Sequence, residues 1–155
     1  MGFTLGVGLC EEVCKAVPIA IYLNSTRNAN WRGACLVGLA SGIGFGVSEG
    51  ITYSSDYYNG ISGFSIYLVR FVSCVALHAL WSGCVAQLMV RNQDHLGLDW
   101  ESVFGFVVYY LSIAMVLHGL YDTLLKQEHH LWALGIAAAS FGWFVVMVSR
   151  QDDEE

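Results

Sequence analysis

ACLVGLASGIGFGVSEGITY, residues 34–53, contains one charged side chain, Glu49, in a run of twenty residues. About twenty apolar residues in helical conformation cross the hydrocarbon core of a bilayer, so the run reads as a membrane helix. Gly38, Gly42, Gly46 and Gly50 recur at intervals of four, and Ala34 extends the series backwards. Residues four apart lie on one helix face, and small residues there let a second backbone come close, where packing and interhelical hydrogen bonds replace the missing hydrophobic drive. Glu49 stands one turn after Phe45 on the flank of this ridge. Its carboxylate is therefore expected to point toward other helices rather than into lipid.

The rest of the chain extends this reading. Hydrophobic residues make up 55% of the 155 residues, charged residues only 13%, and the mean hydropathy is +0.53, too apolar for a soluble domain of this size. One proline and 14% aromatic residues also exclude a disordered or collagen-like chain. Apolar segments near 3–23, 34–53, 64–90, 103–125 and 130–149 are separated by polar stretches such as NSTRNANWR and RNQDHLGLDWE. The expected fold is an all-α, polytopic transmembrane helical bundle of about five helices, forming a single integral membrane domain over residues 1–155. The net charge of −6 comes largely from the acidic tail at 150–155 and from carboxylates between segments. There is no basic footprint for nucleic acid, which is set aside as a partner; the bilayer is the expected surroundings.

Basic residues in the connections set the expected orientation. Arg27 and Arg32 precede the second segment, Arg91 follows the third, Lys126 follows the fourth and Arg150 ends the fifth. With the N-terminus out and the C-terminus in, all but Lys126 fall on the cytoplasmic side of a cell membrane. No cleavable signal peptide is visible, because a basic leading region is missing and charges interrupt the first apolar run. Trp31, Trp100 and Trp132 read as interfacial anchors, and His95, His129 and His130 as solvated connector residues. Cys10, Cys14, Cys35, Cys74 and Cys84 all lie in apolar runs without a C-x-x-C pair, and read as small hydrophobic residues.

Ionisable residues at membrane depth are Glu11, Glu12 and Lys15 in the first segment, Glu49 in the second, Arg70 and His78 in the third, and His118 and Asp122 in the fourth. Each charged member costs roughly 2.5–3.5 kcal/mol on insertion scales and marks a functional interior. Arg70 reads as a snorkelling or ion-paired side chain. The fifth segment has no such residue and reads as packing or a lipid-facing wall. At ~1.5 Å rise per residue, Glu49, His118 and Glu11 fall about 6, 10 and 12 Å below the outer end of their helices, and His78 falls near the same level. The expectation is one site, lined by four helices, in the outer half of the bilayer.

Glu11, Glu12 and Lys15 in E-E-x-x-K, Phe45 and Glu49 in F-x-x-x-E, His78 in LHALW, and His118 and Asp122 in LHGLYD resemble, in order and separation, the motifs of the PrsW family of intramembrane proteases. The resemblance covers residues 11–122. It implies a helical fold distantly related to the CAAX prenyl protease and bacteriocin-processing superfamily, and cleavage of membrane-associated protein substrates such as an anti-sigma factor. Resembling proteins commonly carry further hydrophobic segments upstream of the first motif, so the chain reads as a minimal form or a fragment of the domain.

Peptide hydrolysis requires an activated water, a group that polarises the carbonyl and a proton donor for the leaving amine. Glu49, His78 and His118 supply the carboxylate and two imidazoles of a catalytic divalent-metal site, zinc in the first instance, with a position left for water. Glu12, or else Glu11, would be the general base. Glu11 and Lys15, four residues apart, are expected to pair, leaving Glu12 on the adjacent face. Asp122 would orient His118 or join the ligands. Two other readings stay open: a metal-free glutamate-dependent hydrolase in which the histidines stabilise the oxyanion, and a non-enzymatic scaffold or proton or ion carrier. A carrier needs acids and bases strung through the whole membrane; a hydrolase needs them at one depth. Taken singly, a histidine on an apolar helix is ordinarily a hydrogen-bonded packing residue.

Overall fold

The computed structural model describes residues 2–56, 64–93 and 100–152. His95 and the tail from residue 153 onward lie outside the described residues, as do the side chains of Arg70 and Trp100. The chain forms α1 (Gly2–Ser25), α2 (Trp31–Asp56), α3 (Phe64–Arg91), α4 (Trp100–Phe106), a π-helical turn (Val107–Leu111), α5 (Ser112–Lys126) and α6 (His130–Asp152). These elements follow the five apolar segments. Among the described residues, Trp31–Thr52, Phe71–Arg91, Phe104–Lys126 and His130–Arg150 are each long and apolar enough to cross a membrane. The protein is an integral membrane helical bundle. The fourth segment differs from a plain α-helix: its π turn holds more residues than an α turn and shifts the helical phase ahead of α5.

The centre of the bundle is α3, whose residues from Leu77 to Met89 are nearly all buried. The glycine ridge of α2 lies directly on it. A Cβ built at Gly38 would run into the carbonyl of Ser82, one at Gly42 into that of His78, and one at Gly46 would lie 2.6 Å from Val75 Cα. These partners descend as the α2 numbers rise, so the two helices are antiparallel. On the opposite face of α2, a Cβ at Gly44 would meet nothing within 4 Å.

Helix α1 turns Glu12, Lys15, Ala16 and Ile19 inward at helical spacing, while Val13, Val17 and Ile21 face outward. Its two fully buried charges therefore sit on the stripe that packs. Helix α5 buries Ala114, His118, Gly119 and Tyr121. Helix α6 buries Ala133, Ser140 and Met147, seven residues apart, and exposes Leu131, Trp132, Leu134 and Phe141. Such a helix packs along a narrow seam and offers the rest of its surface to lipid. The α5–α6 turn is closed by amide bonds from Glu128 to the Leu125 carbonyl and from His129 to that of Leu124, with Glu128 at a φ of 60°. This is a Schellman closure with glutamate in the position that glycine usually fills.

Candidate active site

Four helices bring their polar side chains to one point. Glu11 of α1, Glu49 of α2, His78 of α3 and His118 of α5 each offer one ligand atom, and these atoms all lie within 4.8 Å of one another. Close α2–α3 packing brings Glu49 across to α3, where its Oε2 is 2.8 Å from His78 Nε2. Cys74, one turn before His78, donates its thiol to the same oxygen at 3.5 Å. This is a polar partner that the reading of the cysteines as plain hydrophobes missed.

His118 is held on two sides. Its Nδ1 is 3.0 Å from Glu12 Oε1, while its Nε2 is 3.2 Å from Asp122 Oδ2 and 3.7 Å from Glu11 Oε2. Glu12 Oε1 also accepts a bond from Lys15 Nζ at 2.6 Å, and both side chains are 1% exposed. Lys15 lies 3.8 Å from Glu11, so its close partner is Glu12 rather than the expected Glu11. The reason is the rotation of α1: Glu12 and Lys15 share the inward stripe, whereas Glu11, 22% exposed, stands at its edge with Oε2 in the cluster. Asp122 is more open still, at the rim.

The donor set suits a divalent cation. Two carboxylates and two imidazoles are the oxygen and nitrogen ligands that zinc and its neighbours accept. Glu11 Oε2 and His118 Nε2 are buried without a hydrogen-bond partner, both on the inside of the cluster. Their nearest charged neighbours are Asp122 at 3.2 Å from Nε2 and His118 at 3.7 Å from Oε2, an array of carboxylate and imidazole atoms facing one another as the ligands of a cation do. The histidine that would ligate through Nε2 already gives Nδ1 to a carboxylate, which fixes its tautomer.

One neighbour escaped the sequence reading. Trp81 is wholly buried, stacks on His118 with ring centroids 4.9 Å apart and lies 5.7 Å from the His78 ring. Its place three residues after His78, on the same helix face, is the signal that could have found it.

A membrane-embedded bundle that gathers carboxylates and imidazoles from four helices around one partly open point has the make-up of an intramembrane hydrolase. The chain belongs to the PrsW family: the model for the PrsW family intramembrane metalloprotease matches residues 1–149. Family membership makes it an intramembrane protease. No curated protein and no solved structure matches the chain.

Proposed function

We propose that the protein is a metal-dependent intramembrane endopeptidase that hydrolyses peptide bonds of membrane-associated protein substrates, an anti-sigma factor being the type the family resemblance suggests. The observation that carries this is the meeting of Glu11, Glu49, His78 and His118 within 4.8 Å. Glu49, His78 and His118 would hold the ion, zinc by the character of the donors. When bound, such an ion polarises the scissile carbonyl and makes a water molecule acidic enough to be deprotonated near neutral pH.

The other groups then have distinct duties. Glu11, at the partly open edge with its Oε2 in only long ionic contacts, takes the proton from the attacking water and passes it to the leaving amide nitrogen. Glu12 is a poor candidate for that step, because it is fully buried and its Oε1 is held between Lys15 and His118. It accepts the Nδ1 proton of His118 and so aims Nε2 into the cluster, while Lys15 balances its charge. Asp122 stands beside Nε2 at the rim and steadies the same ring. This allots the base to Glu11 and leaves Glu12, Lys15 and Asp122 as positioning groups. The N-terminus lies outside and the C-terminus in the cytoplasm of a cell membrane, which puts the site in the outer half.

Metal analysis of the purified, detergent-solubilised protein tests the reading, with cleavage of a quenched fluorescent transmembrane peptide as the activity probe. One divalent ion per chain is expected, lost in Glu49→Gln and His78→Ala. Glu11→Gln should retain the ion and lose cleavage. Wild type holding no more metal than the two ligand variants would remove the ion. The direct pairs from His78 to Glu49 and from His118 to Asp122 would then favour metal-free hydrolysis by Glu11. Convergence at one point, rather than a string of ionisable groups through the bilayer, favours hydrolysis over carriage.

A further inference from the structure

We infer that Trp81 is a positioning residue for the two histidines, and that Ser140 of α6 holds it in place, so that the helix without ionisable groups at membrane depth is nevertheless part of the site. This rests on the proposed metal-binding role of His78 and His118.

Each imidazole needs two constraints to present a ring nitrogen in a fixed direction: rotation within the ring plane, and the tilt of that plane. For His118, Glu12 sets the rotation through Nδ1 at 3.0 Å. Asp122, 3.2 Å from Nε2, adds a second restraint at the ring's edge, and neither carboxylate covers its face. The indole of Trp81 does, and so sets the tilt, lying over the imidazole with planes 26° apart and centroids at 4.9 Å. His78 meets His118 edge-on, with centroids 4.7 Å apart and planes at 69°, and Trp81 also packs beside His78 at 5.7 Å. The three rings thus form one block in which a shift of the indole moves both ligands.

What fixes the indole is a single polar bond. Trp81 is fully buried, and its Nε1–H donates to Ser140 Oγ at 2.9 Å. Ser140, also fully buried, donates its own hydroxyl hydrogen bond to the Ile136 carbonyl at 2.8 Å. Serine donating back to the carbonyl four residues earlier leaves its oxygen lone pair directed at the indole, so donor and acceptor are both satisfied. A filler residue needs no such anchor, and a phenylalanine would pack without one. The bond spans α3 and α6, which also meet through Phe144 beside Gly83, while Ile136 and Trp143 of α6 pack on the core.

Zn²⁺ affinity, measured by competition, and the visible spectrum of the Co²⁺-loaded protein test this on the full chain in detergent, with melting temperature alongside. Ser140→Ala and Trp81→Phe are each expected to weaken Zn²⁺ binding by about 10–100-fold, the usual effect of removing a group that orients a metal ligand, and to change the Co²⁺ spectrum. The double variant should be no weaker than either single one, since both remove the same bond. Ser140→Thr keeps the hydroxyl and should restore affinity.

A structural role alone predicts a lower melting temperature with affinity and spectrum unchanged in the folded protein, and that result overturns the inference. If Trp81→Phe fails to fold, Ser140→Ala decides. Metal bound equally by wild type, Ser140→Ala and Trp81→Phe, but lost in His78→Ala, refutes the positioning role and leaves the metal site standing. Wild type that binds neither Zn²⁺ nor Co²⁺ refutes the metal reading, and this inference with it.

Discussion

Replacing Gly42 by alanine would place a methyl group between two backbones. Its Cβ would run into the carbonyl of His78 and lie 2.6 Å from Ala79 Cα. Non-bonded carbons settle at about 3.5–4.0 Å, so α2 and α3 must part locally by about 1 Å. Neither obstacle can move aside, because both are main chain of a helix. Overpacking of this kind costs about 1–3 kcal/mol. The separation also has a second effect, since His78 itself is the residue met and Glu49 reaches it from the other side of the same seam at 2.8 Å. A displacement near 1 Å at a catalytic centre costs about 100-fold in rate. Gly44→Ala, two residues away, is the control: its Cβ meets nothing within 4 Å, and exchanging glycine for alanine in a helix is favourable by up to about 1 kcal/mol. Thermal unfolding in detergent and cleavage of the fluorescent transmembrane peptide read out the two effects. The reasoning is refuted if both variants melt and cleave alike, because the α2–α3 seam would then not be a close backbone contact.

Other perturbations probe other parts of the bundle. Lys15→Met leaves Glu12 buried without its cation and is expected to cost about 3–5 kcal/mol of unfolding free energy, whereas Glu12→Gln with Lys15→Met should recover most of that loss; equal melting of the single and double variants would show that the pair is not coupled. Stripping divalent ions with a chelator should lower the melting temperature, and restoring Zn²⁺ at a hundred times its Kd should return about 2.7 kcal/mol, an increment absent from Glu49→Gln. Glu128→Gly relieves a left-handed backbone that costs a non-glycine residue about 1–2 kcal/mol, against a glycine entropy penalty of about 0.5–1 kcal/mol. A net gain between zero and about 1.5 kcal/mol is expected, and a lower melting temperature would count against that closure. A fluorescent protein fused after residue 155 should glow, and a periplasm-dependent phosphatase at the same place should be silent; the reverse pattern would invert the orientation.

The membrane helices were legible because a bilayer imposes a length and an apolarity that a single sequence can show. The segment read at 34–53 became α2 (Trp31–Asp56), and that at 64–90 became α3 (Phe64–Arg91). The glycine ridge was legible as a close contact, but its partner was not: spacing says that a backbone will approach, and only packing says that it is α3, with His78 opposite Gly42. The π turn left no mark in the residues, although it shifts the phase ahead of the helix that carries His118. Ser140 was invisible for a related reason. A serine inside an apolar helix usually bonds back to its own backbone, as Ser140 does with Ile136, and nothing local reveals that it also receives an indole.

The two adjacent glutamates show where the limit falls. Positions three and four residues before a lysine both lie within its reach on a helix, so the pairing of Lys15 depends on how α1 is rotated in the bundle. That rotation follows from residues far away in sequence. Inward placement of Ala16 and Ile19 carries Glu12 and Lys15 with them, and Glu12 meets His118, 106 residues further along the chain, on α5. Glu11 is left at the partly exposed edge, with only long ionic contacts to Lys15 and His118. The same rotation therefore separates the two tasks that the sequence offered to either residue. A buried carboxylate clamped by an ammonium and an imidazole is suited to hold a ring still, and a more exposed one in looser contact beside that ring is suited to accept a proton. Exchanging Glu11 and Glu12 in favour of Asp, one at a time, would distinguish them. Shortening Glu12 should impair metal binding and melting together, whereas shortening Glu11 should leave both intact and slow cleavage.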